Sequence, residues 1–92
     1  MFRFIKRLFG IYEPNYEYWV YTKDIKVPSD WRKTKIGQRK FGRKLRYWYK
    51  TGKFESKILL DRDFNLIDGY SSVRIAEIKN LSKIPVYFVN TY

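Results

Sequence analysis

The sequence contains no cysteine and no histidine. Their absence excludes disulfide bonds, thiolate metal sites and cysteine nucleophiles, and also imidazole bases and imidazole metal ligands. No apolar run approaches the roughly 20 residues that a membrane-spanning helix needs. The first residues lack the long apolar region and the small-residue cleavage site of a signal peptide. We therefore expect a cytoplasmic protein with no membrane span.

Aromatic and basic residues, in contrast, are abundant. Aromatic side chains make up 21% of the chain, and the formal net charge is +11. Residues 1–54 carry 15 Lys and Arg against four Asp and Glu, whereas residues 55–92 carry five of each kind. The whole charge excess therefore belongs to the first part of the chain. Positive charge concentrated in this way indicates a polyanionic partner.

The length of 92 residues allows one small domain with a modest core. We expect an N-terminal arm over residues 1–15 and a single domain over residues 16–92. Within the arm, Phe2, Ile5 and Phe9 recur at the spacing of one helix face. This pattern predicts a short amphipathic helix that lies on the domain. A membrane-surface helix or an arm that reaches nucleic acid is the alternative.

Hydrophobic periodicity predicts an α+β fold with a small mixed β-sheet and two main helices, to which a short N-terminal helix can add. An apolar run at residues 58–60 and an alternating run at residues 64–67 form a predicted hairpin around a three-residue loop. Asn80 stands where the second helix should end. The predicted strands lie near residues 18–27, 56–60, 64–67 and 85–90, and the predicted helices lie near residues 34–51 and 69–80.

The strongest functional pattern lies in the first helix, because residues 31–53 hold ten Lys and Arg and no acidic residue. Thr34 is the predicted N-cap and Gly52 the predicted helix end. An exposed helix face normally mixes charges of both signs, since like charges four residues apart repel each other. A face of one sign favours contact with nucleic-acid phosphates over a merely solvated surface. The predicted nucleic-acid contacts are Arg39, Lys40, Arg43, Lys44, Arg46 and Lys50, and the predicted packed face carries Phe41, Leu45, Trp48 and Tyr49.

A second candidate site lies where a strand should end at Asp68 and Gly69 and a helix should begin. Unpaired backbone N–H groups and the helix dipole attract anions at such a point. The predicted phosphate-binding residues are Gly69, Ser71, Ser72 and Arg74. The alternative is structural, with Asp68 or Ser71 simply capping the helix.

Catalytic candidates are few. Asp61, Asp63 and Asp68 are the only clustered carboxylates, and they could bind Mg²⁺ if they converged on one point. Turn formation explains Asp61 and Asp63 equally well, and helix capping explains Asp68. We therefore expect no catalytic residue, no metal ligand and no cofactor.

Several short motifs resemble the ParB/sulfiredoxin superfamily. The LIDGY sequence at residues 66–70, the predicted helix after it and the LSKIPV sequence at residues 81–86 are similar to the ParB-type N-terminal domain. The DIKVP sequence at residues 24–28 is similar to the opening strand of that domain, and residues 35–52 to its first helix. The resemblance covers residues 18–89 and implies a ParB-like fold.

The sequence also departs from that family. In ParB proteins the glycine is followed by Glu-Arg-Arg, whose arginines hold nucleotide phosphates, whereas Tyr70, Ser71 and Ser72 stand here. Arg74, one helical step further on, is the remaining arginine. Sulfiredoxins use a cysteine, which this chain lacks.

These observations predict a small, basic, non-enzymatic nucleic-acid-binding protein, with DNA ahead of RNA as its partner. Two alternatives stay open. One is a nucleotide-binding or nuclease-like enzyme of the ParB type. The other is a phage or mobile-element protein that binds and inhibits a host protein such as a CRISPR nuclease. The sequence leaves the oligomeric state open.

Overall fold

Short apolar strands and three helices build a mixed α+β fold in the computed structural model, which describes residues 3–4 and 16–89. The sheet has five strands in the order β1-β2-β5-β3-β4. The strands are β1 (Arg3–Phe4), β2 (Tyr18–Tyr21), β3 (Leu59–Leu60), β4 (Leu66–Asp68) and β5 (Lys83–Phe88). The helices are α1 (Ser29–Lys33), α2 (Gln38–Thr51) and α3 (Tyr70–Ile78). The predicted fold class is confirmed.

Both strand directions occur in the sheet. Strand β5 pairs antiparallel with β2, where Val20 faces Ile84, and parallel with β3, where Leu60 faces Phe88. Strands β3 and β4 form the predicted antiparallel hairpin, but the loop between them has five residues, 61–65, and not the predicted three. The two-residue strand β1 adds to the outer edge of β2 in parallel. The predicted N-terminal helix is wrong at these two residues, since they form a strand. The rest of the predicted arm lies outside the described residues.

The core lies between one face of the sheet and α3. Strand alternation buries Tyr18 and Val20 from β2, and α3 contributes Val73 and Ala76. Ile78 is 48% exposed, because at 100° per residue it lies about 140° around the helix from Val73 and about 160° from Ala76. The remaining buried apolar residues are Ile25, Ile58, Leu60, Phe64, Leu66, Ile75, Ile84, Val86 and Phe88.

The loop of the β3–β4 hairpin is organised by one carboxylate. The Asp61 side chain accepts backbone hydrogen bonds from Asp63 and Asn65, both at 2.9 Å. Burial by itself would raise the pKa of Asp61, but hydrogen bonds from Asn65 and Asp63 outweigh it and hold that pKa below its ordinary value. Phe64 was predicted to begin the returning strand, but it adopts a left-handed conformation with φ of 67° and is buried.

Two predicted boundaries differ from the structure. The predicted strand over residues 18–27 ends at Tyr21, and a 3-10 turn at Thr22–Asp24 redirects the chain so that Lys26 bridges to Asn65 beside β4. The Thr22 hydroxyl secures this turn by donating to the Leu81 carbonyl at 2.6 Å. Residues 28–33, predicted as a strand end and loop, contain helix α1 instead.

The basic helix begins later than predicted. Thr34 is extended and ends α1 by hydrogen bonding back to Trp31, so it is not the N-cap of α2. That position belongs to Gly37, whose carbonyl accepts from the Phe41 N–H at 2.8 Å. The predicted helix ends are confirmed at Gly52, with φ of 72°, and at Asn80, with φ of 56°.

Pro85 lies inside β5, not at its start as predicted. The N–H groups of Tyr87 and Val89 donate toward β3. Because backbone nitrogens two residues apart in a strand point to the same side, the nitrogen of Pro85 also faces β3. Pairing with β3 begins only at Tyr87, so the missing N–H of the proline leaves no ladder bond broken.

Gly69 joins β4 to α3 and allows the closest backbone approach among the four glycines that the structure describes. Its φ is +90°, and a Cβ placed there would lie 2.4 Å from the Lys57 carbonyl oxygen and 2.8 Å from the Ile58 Cα. The neighbouring atoms are backbone, so they cannot move aside as a flexible side chain would. Only glycine therefore fits between the end of β4 and the chain that leads into β3.

We predict that Gly69→Ala lowers the free energy of unfolding by about 2–4 kcal/mol, since left-handed strain and a backbone clash add together. Gly52→Ala is the matched control, because Gly52 has a φ of +72° but no atom within 4 Å of the added Cβ. That variant should lose only about 1 kcal/mol. Urea denaturation of both variants measures the difference, and equal losses would contradict the steric argument.

Candidate nucleic-acid interface

Helix α2 carries five exposed cations on one side: Arg39, Lys40, Arg43, Arg46 and Lys50. At 100° per residue these side chains cover about 120° of the helix circumference and about 16 Å of its length. We call this surface the cationic face. Four of its members line an open groove of about 620 Å³ on α2, namely Arg39, Lys40, Arg43 and Arg46.

Acidic residues neutralise little of the cationic face. Arg43 donates to Glu55 at 3.1 Å, and its side chain stays 60% exposed. Among the described residues, no salt bridge involves the other four cations. An exposed ion pair of this kind contributes little stability. The face therefore keeps a strong positive potential.

Lys44 was predicted to flank these cations, but the structure places it inward and only 9% exposed. Its ammonium group donates to the Ser56 hydroxyl at 2.8 Å and to the Ser71 hydroxyl at 3.1 Å. Spacing could have indicated this, because Lys44 lies three residues after Phe41 and four before Trp48, both half-buried. Lys44 therefore does not belong to the cationic face, and no local signal identifies Ser56 as its partner.

The predicted packed face of α2 is correct for three of its four residues. Phe41, Leu45 and Trp48 are half-buried, but Tyr49 is 60% exposed. The Tyr49 ring packs edge-on against Trp48. Lys79, the residue directly after α3, lies 4.5 Å from the centroid of the Tyr49 ring and donates to its hydroxyl group. Tyr49 therefore lies at the edge of the packed face and links α2 to the C-terminal end of α3.

The predicted phosphate site has its hydroxyl groups turned into the protein. Ser71 accepts from Lys44, and Ser72 donates to the Ser56 carbonyl at 2.7 Å. The N-cap of α3 is Gly69 and no side chain caps the helix, so neither Asp68 nor Ser71 has the predicted capping role. The Asp68 carboxylate instead accepts from the Gly69 N–H at 2.8 Å. Phosphate binding at Gly69, Ser71, Ser72 and Arg74 stays a prediction.

Arg74 is the only charged member of that predicted site, and Glu77 contacts it at 2.8 Å. The same carboxylate accepts two hydrogen bonds from Arg32 of α1, at 2.7 and 3.1 Å. The Arg32 hydrogen bonds and those of Arg74 outweigh burial and hold the pKa of Glu77 below its ordinary value. This shared carboxylate ties α1 to α3.

Within residues 16–89, no three acidic side chains come together in a group that could hold a metal ion. Asp61 is engaged by its own loop, as described above. Over the same residues, no helix is long and apolar enough to cross a membrane.

This chain has the fold of a ParB N-terminal domain. A solved pNOB8-like ParB N-domain in a C2221 crystal form matches it with a TM-score of 0.69 and 15% sequence identity, covering 89% of this chain and 31% of that one. A second pNOB8-like ParB N-domain structure matches with a TM-score of 0.59 and 20% identity, covering 80% and 28%. The chain thus spans less than a third of the length of these proteins. No protein-family model and no curated protein matches the sequence.

We predict that Ser71→Ala lowers the free energy of unfolding by about 1–3 kcal/mol, because the buried ammonium of Lys44 loses an acceptor. In a Lys44→Met background the same change should cost less, with a coupling energy of about 1 kcal/mol. Denaturant melts of the two single variants and the double variant measure this coupling. Ser82→Ala, at an exposed serine, is the control. If the losses of the two single variants add up to the loss of the double variant, the contact between Lys44 and Ser71 does not stabilise the protein.

We predict that Glu77→Gln lowers the free energy of unfolding at pH 7 by roughly 1 kcal/mol. Because the folded pKa of Glu77 is depressed, its contribution is present above the ordinary value of 4.5 and is lost as pH falls through the folded pKa. The stability curves of the two proteins should therefore converge as the pH is lowered below 4.5 and through the depressed folded pKa. Glu55→Gln, at the exposed pair with Arg43, should change stability less. A stability difference between Glu77→Gln and wild type that does not change with pH would contradict a role for the Glu77 charge.

Proposed function

We propose that this protein binds nucleic acid through the cationic face of α2 and does so without catalysing a reaction. The single observation that supports this most is five exposed cations of one sign, of which only Arg43 has an acidic partner among the described residues. Repulsion among them makes the free surface costly, and a row of phosphates relieves it.

Phosphate contact also supplies the affinity. A protein that neutralises phosphates with Lys and Arg releases condensed counterions from the nucleic acid, and binding therefore weakens as salt rises. Such contacts orient the protein on the backbone and do not read sequence. We therefore propose a sequence-independent mode of binding.

DNA is the proposed polymer, and the ParB-like fold is consistent with a DNA-handling role. The two serines and Arg74 at the start of α3 add a proposed site for one further phosphate or a nucleotide. Binding of a host protein through the same basic surface is the competing function. A pull-down that resists nuclease treatment would favour that competitor over nucleic-acid binding.

We predict that the wild-type protein binds DNA with a log–log salt slope of about −4 to −5, from five phosphate contacts. Arg39→Gln and Arg46→Gln should each weaken binding and reduce the slope by about 1. Fluorescence anisotropy titrations at several salt concentrations measure both quantities. These two arginines make no salt bridge among the described residues, so the variants should fold normally.

The control is Arg62→Gln. Arg62 is an exposed arginine in the β3–β4 loop, away from α2 in the chain. This variant should leave the slope unchanged. Absence of binding at low salt, or binding that ignores salt, would refute the proposed function. Equal effects of Arg62→Gln and Arg46→Gln would refute the cationic face as the site.

A further inference from the structure

One aromatic side chain stands inside the cationic face. Tyr47 follows Arg43 by four residues and precedes Lys50 by three, so all three share one side of α2. On the helical wheel its position falls between those of Arg43 and Lys40, within the arc that the cations define. Tyr47 is 41% exposed.

Within the described part of the chain, the ring of Tyr47 also has no aromatic or cationic partner. It makes no aromatic or cation–π contact there, and its hydroxyl forms no hydrogen bond; only its backbone carbonyl accepts, from Thr51 at 2.9 Å. Tyr49, two residues on, is more exposed but is held by Trp48 and Lys79. Tyr47 is therefore an open aromatic surface surrounded by phosphate-binding groups.

We propose that Tyr47 stacks on an unpaired base, so that the cationic face binds single-stranded nucleic acid in preference to a duplex. This inference rests on the proposed function and deepens it. Cations that follow the backbone, combined with an aromatic platform for the bases, are the two parts of sequence-tolerant single-strand binding. Bases in a duplex are stacked on their neighbours and offer no free face to the ring, whereas bases of a single strand do.

Stacking and phosphate contact respond differently to salt, and this difference separates Tyr47 from the cations. Counterion release depends on the number of phosphates neutralised, so loss of a cation changes the slope of affinity against salt. Loss of a stacking ring removes affinity by a similar amount at every salt concentration. A change in affinity without a change in slope is therefore the signature of Tyr47.

The test is an anisotropy titration of oligothymidine, oligouridine and a DNA duplex with Tyr47→Leu, Tyr47→Phe and wild type. Tyr47→Leu should weaken single-strand binding by between about 5-fold and 150-fold, the range reported for loss of one base–aromatic stack. The slope against salt and the duplex affinity should stay unchanged. Tyr47→Phe keeps the ring and should keep the affinity, which excludes a role for the hydroxyl group.

Tyr49→Leu is the matched control, since it removes a more exposed tyrosine from the same helix and should leave single-strand affinity unchanged. Thermal melts confirm that each variant folds. A loss with Tyr47→Leu on oligothymidine alone, or on both single strands, supports the inference. Equal losses on duplex and single strands, or no loss on either single strand, overturns it. If Tyr47→Leu causes no loss on either single strand but wild type still binds in a salt-dependent way, the proposed function stands and only the stacking role of Tyr47 is refuted. If wild type does not bind at all, the proposed function and the stacking role are both refuted.

Discussion

The ammonium group of Lys44 holds the basic helix against the rest of the protein. Lys44 is the only buried residue of α2, and its contacts reach Ser56 before β3 and Ser71 in α3. The apolar residues of α2 are only half-buried, so they contribute less to its position than a fully buried stripe would. Hydrogen bonds from an ionised donor are stronger than those between neutral groups, and the two acceptors belong to different parts of the chain. The contact therefore stabilises the arrangement in which Lys44 faces the protein and the cationic face meets solvent.

The contact with Ser71 also lies where this chain departs from the ParB pattern that its sequence resembles. Where the family has arginines that face a nucleotide, this chain has two serines whose hydroxyls bind inward, one to Lys44 and one to the Ser56 carbonyl. Gly69 has a left-handed φ of +90° and brings the helix start close to residues 57 and 58. The two serine hydroxyls at this start are thus engaged in contacts inside the protein. The exposed side of α2 carries five cations, whereas Arg74 near the start of α3 is paired with Glu77.

Much of the fold was predictable from local patterns, because local chemistry decides those features. Apolar alternation placed the hairpin, and left-handed stops at Gly52 and Asn80 ended the helices where predicted. Helix α1 was missed, and α2 was predicted to begin too early, because Thr34 suits an N-cap as well as it suits a helix end. The 3-10 turn after Tyr21 was missed as well. It is held by hydrogen bonds to Leu81 and Ser82, about sixty residues away in the chain, and no local pattern encodes them.

By itself the sequence determined the α+β class, the resemblance to ParB domains and the presence of an acid-free basic helix, since composition and spacing suffice for each. Only the tertiary structure decided which cations meet solvent. Spacing places Lys44 at the border of the packed face of α2 and Arg46 on the opposite side, but spacing alone does not decide that Lys44 is buried. The reason is that a side chain at the border of a helix face turns inward only if distant residues offer it acceptors, and Ser56 and Ser71 come together beside α2 only in the folded chain.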